Sequence, residues 1–256
     1  MRETCTCLLL LLVAFAADAA TLFNKPLHVT RSIDEPLSGK TITVEQYYFG
    51  NRVVTVRGDR TVIADYERRE ITEIDRAAAT FSISKFDDVA AARGARRAQK
   101  SDAPIVRDRS DRRGGRNVDV FTADDRAAGL HAEIAVDLSI ELSRDAFDVV
   151  VGAAYPANGG TTADLALGAA KISRVLAASV GAAAAEHYGL PIEQIVRWDA
   201  GGEIITSSDR VTRVGEETAP PELIAIPAGA RRIESHQLET KRLADEIDSF
   251  PAARRH

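Results

Sequence analysis

The clearest pattern along this chain is a period of two. Thr41–Phe49 (TITVEQYYF) is rich in β-branched and aromatic residues and is followed by Gly50-Asn51. Arg52–Arg57 leads into Gly58-Asp59, and Arg60–Asp65 follows; further turns fall at Glu67-Arg68 and Arg76-Ala77, ahead of Thr80–Ser84. Glycine takes the positive φ that tight hairpins need, so short β-rich runs punctuated in this way predict an antiparallel meander. His131–Leu142 alternates as well. Ile134, Val136, Leu138, Ile140 and Leu142 point one way and Glu133, Asp137, Ser139 and Glu141 the other, which predicts a strand with one buried and one wet face. Asp148–Ala153 reads as a further strand. Gln194–Asp199 and Glu203–Val214 flank Ala200-Gly201-Gly202 as another hairpin, ended by Pro220-Pro221.

Two segments carry helical spacing instead. Thr161–Tyr188 opens on an approximate capping box, Thr161 with Asp164, and stops at Gly189 and Pro191. Leu165, Ile172, Val175, Leu176 and Val180 form its apolar stripe. Lys171 and Arg174 interrupt it, and each would cost about 2.5–3.5 kcal/mol at a bilayer centre, so this helix is expected to cover a sheet rather than span a membrane. Ser235–Phe250 reads as a C-terminal helix with opposite charges at i,i+4, Lys241 with Asp245 and Arg242 with Glu246.

The N-terminus changes the picture of where the protein works. Arg2 precedes an apolar run from Cys5 to Ala17, and Ala17-Asp18-Ala19-Ala20 offers a small-x-small cleavage site. This is the layout of a secretory signal peptide over residues 1–20, its apolar run being shorter than the roughly 20 residues a spanning helix needs. The expected location is periplasmic or secreted. Cys5 and Cys7, the only cysteines, leave with the signal, so the mature chain folds on its core without disulfides or thiol chemistry. At 256 residues, 45% hydrophobic and 28% charged, it is long enough to bury one; with 5% aromatics, Val, Ile, Leu and Ala do most of the packing. The formal charge is -5, and removing Arg2, Glu3 and Asp18 (net -1) leaves -4, which does not suggest a dedicated nucleic-acid binder.

Residues 93–116 stand apart, with nine arginines and lysines against three aspartates, Gly114-Gly115 and few large apolar residues. Its start fits the end of a helix over Asp87–Gln99. The rest reads as a flexible, solvated linker, because it has little apolar surface to offset its ordering entropy. It also offers a surface for anions, although no aromatic residue interleaves to stack on bases.

Candidate chemistry is sparse. Ser38-Gly39-Lys40-Thr41 resembles the end of a phosphate loop, but Asp34 stands where the earlier glycine belongs and a strand follows instead of a helix. Arg57-Gly58-Asp59 is explained by its turn. His28, His131, His187, His236 and His256 have no metal-ligand spacing, and no Gly-x-Ser-x-Gly elbow occurs. Asp87-Asp88, Asp124-Asp125 and Glu216-Glu217 read as solvated pairs. No catalytic residue, metal or cofactor is assigned, and the chain is read as non-enzymatic. By alternation and aromatic character, Ile42, Val44, Tyr48, Val54, Val56, Phe81, Ile83 and Trp198 are candidates to line an apolar cavity under the helix of Leu165, Ile172 and Leu176; the same residues equally fit a solid core.

One resemblance sharpens this. Tyr47-Tyr48-Phe49-Gly50-Asn51-Arg52-Val53, Val62-Ile63-Ala64-Asp65, Glu70–Asp75 and Thr80-Phe81, then Gly189-Leu190-Pro191, Val211–Val214 and Pro221–Ala230, together resemble an exported branch of the LolA-like (lipoprotein-carrier) half-barrel superfamily. The likeness covers about residues 27–88 and 189–234. It implies an α+β fold, mainly antiparallel β, with a curved half-barrel sheet and helices covering its concave face. Its domain would span residues 21–234 with an arginine-rich insertion at 93–116, and residues 235–256 would form a C-terminal tail. The implied role is a monomeric binding protein for an apolar ligand, an acyl chain or lipoprotein, as carrier or envelope sensor. The rivals are a protein-interaction module with a solid core and a hydrolase with a spatially assembled site.

Overall fold

In the computed structural model, the described residues are 21–35, 39–88, 105–125, 129–150, 188–199 and 201–235. The first strands follow the meander: β1 (Phe23–Glu35), β2 (Lys40–Gly50), β3 (Arg52–Arg57), β4 (Arg60–Asp65), β5 (Glu70–Asp75) and β6 (Thr80–Lys85). Next come β7 (Ile105–Arg113), β8 (Arg116–Asp125), β9 (Leu130–Leu142), helix α1 (Arg144–Val150), β10 (Tyr188–Asp199) and β11 (Ile204–Gly215). A short helix α2 (Pro221–Ile224) and a two-residue strand β12 (Arg231–Arg232) complete the described elements. All strands join one open, curved sheet in the order β12-β6-β5-β4-β3-β2-β1-β11-β10-β9-β8-β7. Every pairing is antiparallel except β12 with β6.

The hairpin turns sit where the sequence puts them, and their chemistry is local. Gly50 and Gly58 hold φ of 55° and 56°. In the turns after β4 and β5 an aspartate does the folding. Asp65 accepts from the Arg68 amide at 2.9 Å and Asp75 from the Ala78 amide at 2.8 Å, each followed by a left-handed residue, Arg69 or Ala79.

Each hairpin of the β1–β6 meander opposes an even-numbered residue to an odd-numbered one, so the two faces swap numbering from strand to strand. Leu27, Tyr48, Val53, Ala64 and Ile71 stand directly opposite one another in turn across β1–β5. This row lies on the inner face, in one core with Phe23, Phe86 and Ala146, Phe147, Val149 and Val150 of α1. The outer face carries Tyr47, Val54, Phe49, Val56 and Ile63, and the segment after β11 straps across it with Ala219, Leu223 and Ile224. Arg76 Nη2 donates to the carbonyls of Glu222 and Leu223, both at 2.8 Å. Beyond α2, β12 runs beside β6, with Arg231 N donating to Ala79 O and Ile233 N to Phe81 O. The strap thereby pairs the exposed edge of β6.

Three sequence expectations change. The stretch read as a strand from Asp148 begins inside α1, where Ser143 caps the helix: its Oγ accepts from Ala146 N at 3.1 Å and its carbonyl from Phe147 N at 2.8 Å. The arginine-rich segment is not a linker from Ile105 onward. It is the β7–β8 hairpin, turning at Gly114-Gly115, and the acids that hold its arginines lie on neighbouring strands where a local charge count does not see them. In β9, Ala132, Ile134, Ala135, Val136 and Asp137 are all nearly inaccessible, so both faces are covered at its centre, whereas Leu138 is exposed. The signal peptide, the Thr161 helix with Leu165, Ile172 and Leu176, and the C-terminal helix beyond Ser235 lie outside the described residues.

Gly189 shows how closely β10 approaches β9. A Cβ there would stand 2.5 Å from Val136 Cγ1 and 2.8 Å from the Asp137 carbonyl oxygen. Gly189→Ala is therefore expected to lower stability by about 1–3 kcal/mol in urea melts, as overpacking does, with Gly201→Ala, whose Cβ would meet nothing within 4 Å, as the comparison for turn strain alone.

Candidate functional site

The eight candidate cavity residues do not share a surface. Register puts Ile42, Val44 and Tyr48 on the inner face, with Val44 opposite Arg31 and Ile42 opposite Ile33. Val54 and Val56 lie on the outer face, opposite Tyr47 and Glu45. Ile83 joins them through Ile63 and Thr72, and Phe81 through Ile74. Trp198 pairs with Leu130 and Ile205; its side chain lies outside the described residues. The strap accounts for the apolar character of Val54 and Val56. What remains inside is the row through Tyr48.

Beside that row a charge is buried. Arg31 on β1 donates through Nε to Gln46 Oε1 at 2.9 Å, through Nη1 to Asp209 at 3.3 Å, and through Nη2 to the Pro191 carbonyl at 3.3 Å. It thus ties β1 to β2, β11 and β10. Burial works against its charge, but Asp209 outweighs this and holds the guanidinium above its ordinary value. Pro191, which has no N–H for a ladder, sits at an irregularity of β10, and the carbonyl there is the one that Arg31 uses. Nearby, the Tyr48 hydroxyl is buried with no hydrogen-bond partner among the described residues, and burial pushes its pKa up to about 12.

On the outer face His28 is buried, stacked on Tyr47 at 4.1 Å, and hydrogen-bonded through Nδ1 to Glu217 Oε2 at 2.8 Å. Arg213 holds the other Glu217 oxygen at 2.5 Å. Among the described residues His28 Nε2 makes no hydrogen bond, with Glu45 Oε2 at 3.8 Å, and none of them places a hydroxyl there as a nucleophile. The group joins the root of the strap to β1 and serves attachment. Among the described residues, no cluster of three or more His, Cys, Asp or Glu is placed to hold a metal.

A pocket lies at the other end. Arg113, at the tip of the β7–β8 hairpin, uses all three nitrogens: Nε to Asp111 at 3.0 Å, Nη2 to Glu133 at 2.9 Å and Nη1 to Glu193 at 2.9 Å. Glu193 is on β10, three places away in strand order. In a flat sheet that is about 14 Å, beyond an arginine's reach, so the sheet curls here. Glu193 also accepts from Arg210 Nε at 2.9 Å, and Arg116 Nη1 donates to buried Asp137 at 2.9 Å. The curl encloses a pocket of about 600 Å³ lined by Arg113, Gly114, Arg116, Glu193 and the Arg210–Val214 stretch, with Ile192 alongside. Ile192, Val211 and Val214 also touch the inner core. Charge counting marks residues 93–116; the contributions of Arg210 and Arg213 follow from the β1–β11 pairing and have no local signal.

These ion pairs set an acid limit. Burial pushes the Asp137 carboxyl up, but hydrogen bonds from the Ser139 hydroxyl, Arg116 and the Ser139 amide outweigh it and hold it below the ordinary range. Asp119, hydrogen-bonded by Arg107, is depressed too. A carboxylate whose folded pKa is depressed stabilises fully above its unfolded value, about 3.9 for Asp, and that share is lost as pH falls through the folded value. The melting temperature is thus expected to drop most steeply below about pH 4, and Asp137→Asn should flatten that drop while lowering stability at pH 7. Tyr48→Phe removes an unpaired buried hydroxyl and should leave stability equal or up to about 1 kcal/mol higher, whereas Tyr48→Ala should cost roughly 3–5 kcal/mol.

No family model matches the chain, and no curated protein matches it in sequence. Among solved structures, the fold is similar to an uncharacterized conserved protein from Thermus thermophilus, with 8% identity, a TM-score of 0.44, and 83% of this chain and 91% of that one covered. PNGF-II gives 11% identity and a TM-score of 0.39, with 86% of this chain and 32% of that one covered. MucB in complex with MucA(peri) gives 15% identity and a TM-score of 0.36, with 80% of this chain and 55% of that one covered. At these scores and identities the likenesses assign neither a family nor a role.

Proposed function

We propose that this protein is an exported, non-catalytic binding protein for an apolar chain such as a lipid acyl group or lipoprotein, acting as a carrier or envelope sensor. The observation that carries this reading is the inner-face row Leu27-Tyr48-Val53-Ala64-Ile71. It is apolar across five adjacent strands, about 19 Å at the usual strand spacing. The LolA-like resemblance of the same segments points the same way, and the expected signal peptide supplies export. Ile192, Val211 and Val214 line the arginine-lined pocket and belong to or pack against the same core.

The packing favours a sensor over an open carrier. Phe23, Phe86 and the α1 side chains already occupy the cluster that holds the row. An incoming acyl chain gains about 0.8 kcal/mol per buried CH₂, but it must displace some of this cover. Occupancy is then coupled to movement of α1, which is the coupling a sensor requires.

A second reading has its own observation. The β6 edge is paired by β12, while β7 ends the sheet at the other side with nothing beyond it among the described residues. A protein-interaction module with a solid core would recruit its partner by strand addition at β7.

The test is native mass spectrometry of the mature protein purified from an exporting host, followed by uptake of a fluorescent fatty acid. Retained lipid, or saturable uptake displaced by unlabelled oleate, is the expected result. Protein that carries no lipid and ignores the probe would remove the apolar-ligand reading and leave the β7 module.

A further inference from the structure

We infer that the strap is a displaceable cover, and that the outer-face platform beneath it docks an extended, aliphatic segment of a partner polypeptide that pairs with the β6 edge. This goes beyond the ligand reading and does not depend on it.

Register builds the platform from two rows. One runs Val56-Thr61-Ile74-Phe81 across β3–β6, and the other runs Tyr47-Val54-Ile63 across β2–β4. Tyr47, Val54, Thr61 and Ile74 are all buried. The cover is thin by comparison. Among the described residues of the strap, 216–233, Ala219 alone is buried. Leu223 and Ile224 are half-buried on the platform, Ile226 is 41% exposed, and both β12 residues are exposed. The strand pairing itself is two residues long. An element with so little buried apolar contact and so short a ladder opens locally, at a free energy well below that of global unfolding.

The closed strap also leaves polar groups unmet. Thr61 is 1% exposed, and its Oγ1 has no hydrogen-bond partner among the described residues. Arg76 gives Nη2 to the Glu222 and Leu223 carbonyls, while its buried Nε likewise has no partner among them. Buried polar atoms without partners are a cost that the closed state carries. A segment that brings a carbonyl or hydroxyl to either one gains over the strap. Opening also frees the Ala79 and Phe81 carbonyls, which now accept from Arg231 N and Ile233 N, and so presents β6 for strand addition. The segment seated there now defines what fits: a proline-led turn, an aliphatic pair on the platform, then a strand parallel to β6.

The probe is a synthetic peptide of residues 216–234, with a scrambled peptide as control, titrated by fluorescence anisotropy against the full mature chain. The strap in cis competes with it, so apparent affinity falls with the fraction of molecules that are closed. Leu223→Ser/Ile224→Ser weakens the strap without altering the platform and is expected to raise affinity for the peptide at least tenfold. Adding Val56→Glu on the platform should abolish that gain. Peptide bound no better by the opened variant than by the wild type, or no better than its scrambled control, overturns the docking site. Hydrogen exchange on the wild type needs no variant. The Arg231 and Ile233 amides are expected to exchange at least a hundredfold faster than those of Val54 and Ile63, and equal protection overturns the displaceable cover. Wild-type dimers on light scattering that dissociate in Leu223→Ser/Ile224→Ser would make a second copy's strap the occupant and overturn a separate partner.

Discussion

The fold depends on a buried positive charge at the seam where the chain's two halves meet. β1 belongs in sequence to the N-terminal meander, yet its second neighbour is β11, and Arg31 reaches Asp209 across 178 residues. An isolated guanidinium could not be buried there; its cost would be several kcal/mol. Gln46, Asp209 and the Pro191 carbonyl satisfy it together, and those partners come from three different strands. A register slip of one residue in β1 or β11 would turn Arg31 or Asp209 to the opposite face and strand the other. The pair thus selects one alignment of the halves, and the single curved sheet, its apolar row and its arginine pocket follow from that alignment.

Each face of the meander has a separate means of closure. Inside, α1 and Phe86 share one apolar core with the row through Tyr48. Outside, the strap lays Ala219, Leu223 and Ile224 over Val54 and then adds β12 to the open edge. His28, Glu217 and Arg213 fasten the strap where it leaves the sheet. The run Pro221–Ala230, which in sequence looks like a terminal signature, is thereby explained as an outer cover. The curl at the β7–β8 hairpin leaves open space between charged strands, and this is where solvent meets the core.

Much of the meander is legible in the sequence because its turns are chemically explicit: Gly50 and Gly58 adopt the positive φ their residue type permits, as does the Gly201-Gly202 pair between β10 and β11. The site is less legible for a specific reason. Shared parity groups Ile42, Val44 and Tyr48 with Val54 and Val56, but the hairpins reverse parity at every turn, so Tyr48 faces Val53 and not Val54. Phe81 and Ile83 fall on the outer face by the same rule. α1 escapes a sequence reading because its β-branched Val149 and Val150 fit a short strand as well as a helix, and the local cue to its start is the cap at Ser143. The arginine hairpin escapes it because Arg107, Arg113 and Arg116 are neutralised by Asp119, Glu133, Glu193 and Asp137, partners that only tertiary structure supplies.

A double-mutant cycle on the seam tests the central claim most directly. Urea unfolding would be measured for Arg31→Met, Asp209→Leu and the two combined. The account predicts that Asp209→Leu costs roughly 3 kcal/mol or more by leaving Arg31 buried without its charge partner, that Arg31→Met costs less because Asp209 is partly exposed, and that the double variant recovers a large part of the Asp209→Leu loss. Small losses that simply add would contradict it, showing that the halves are aligned by something other than this charge.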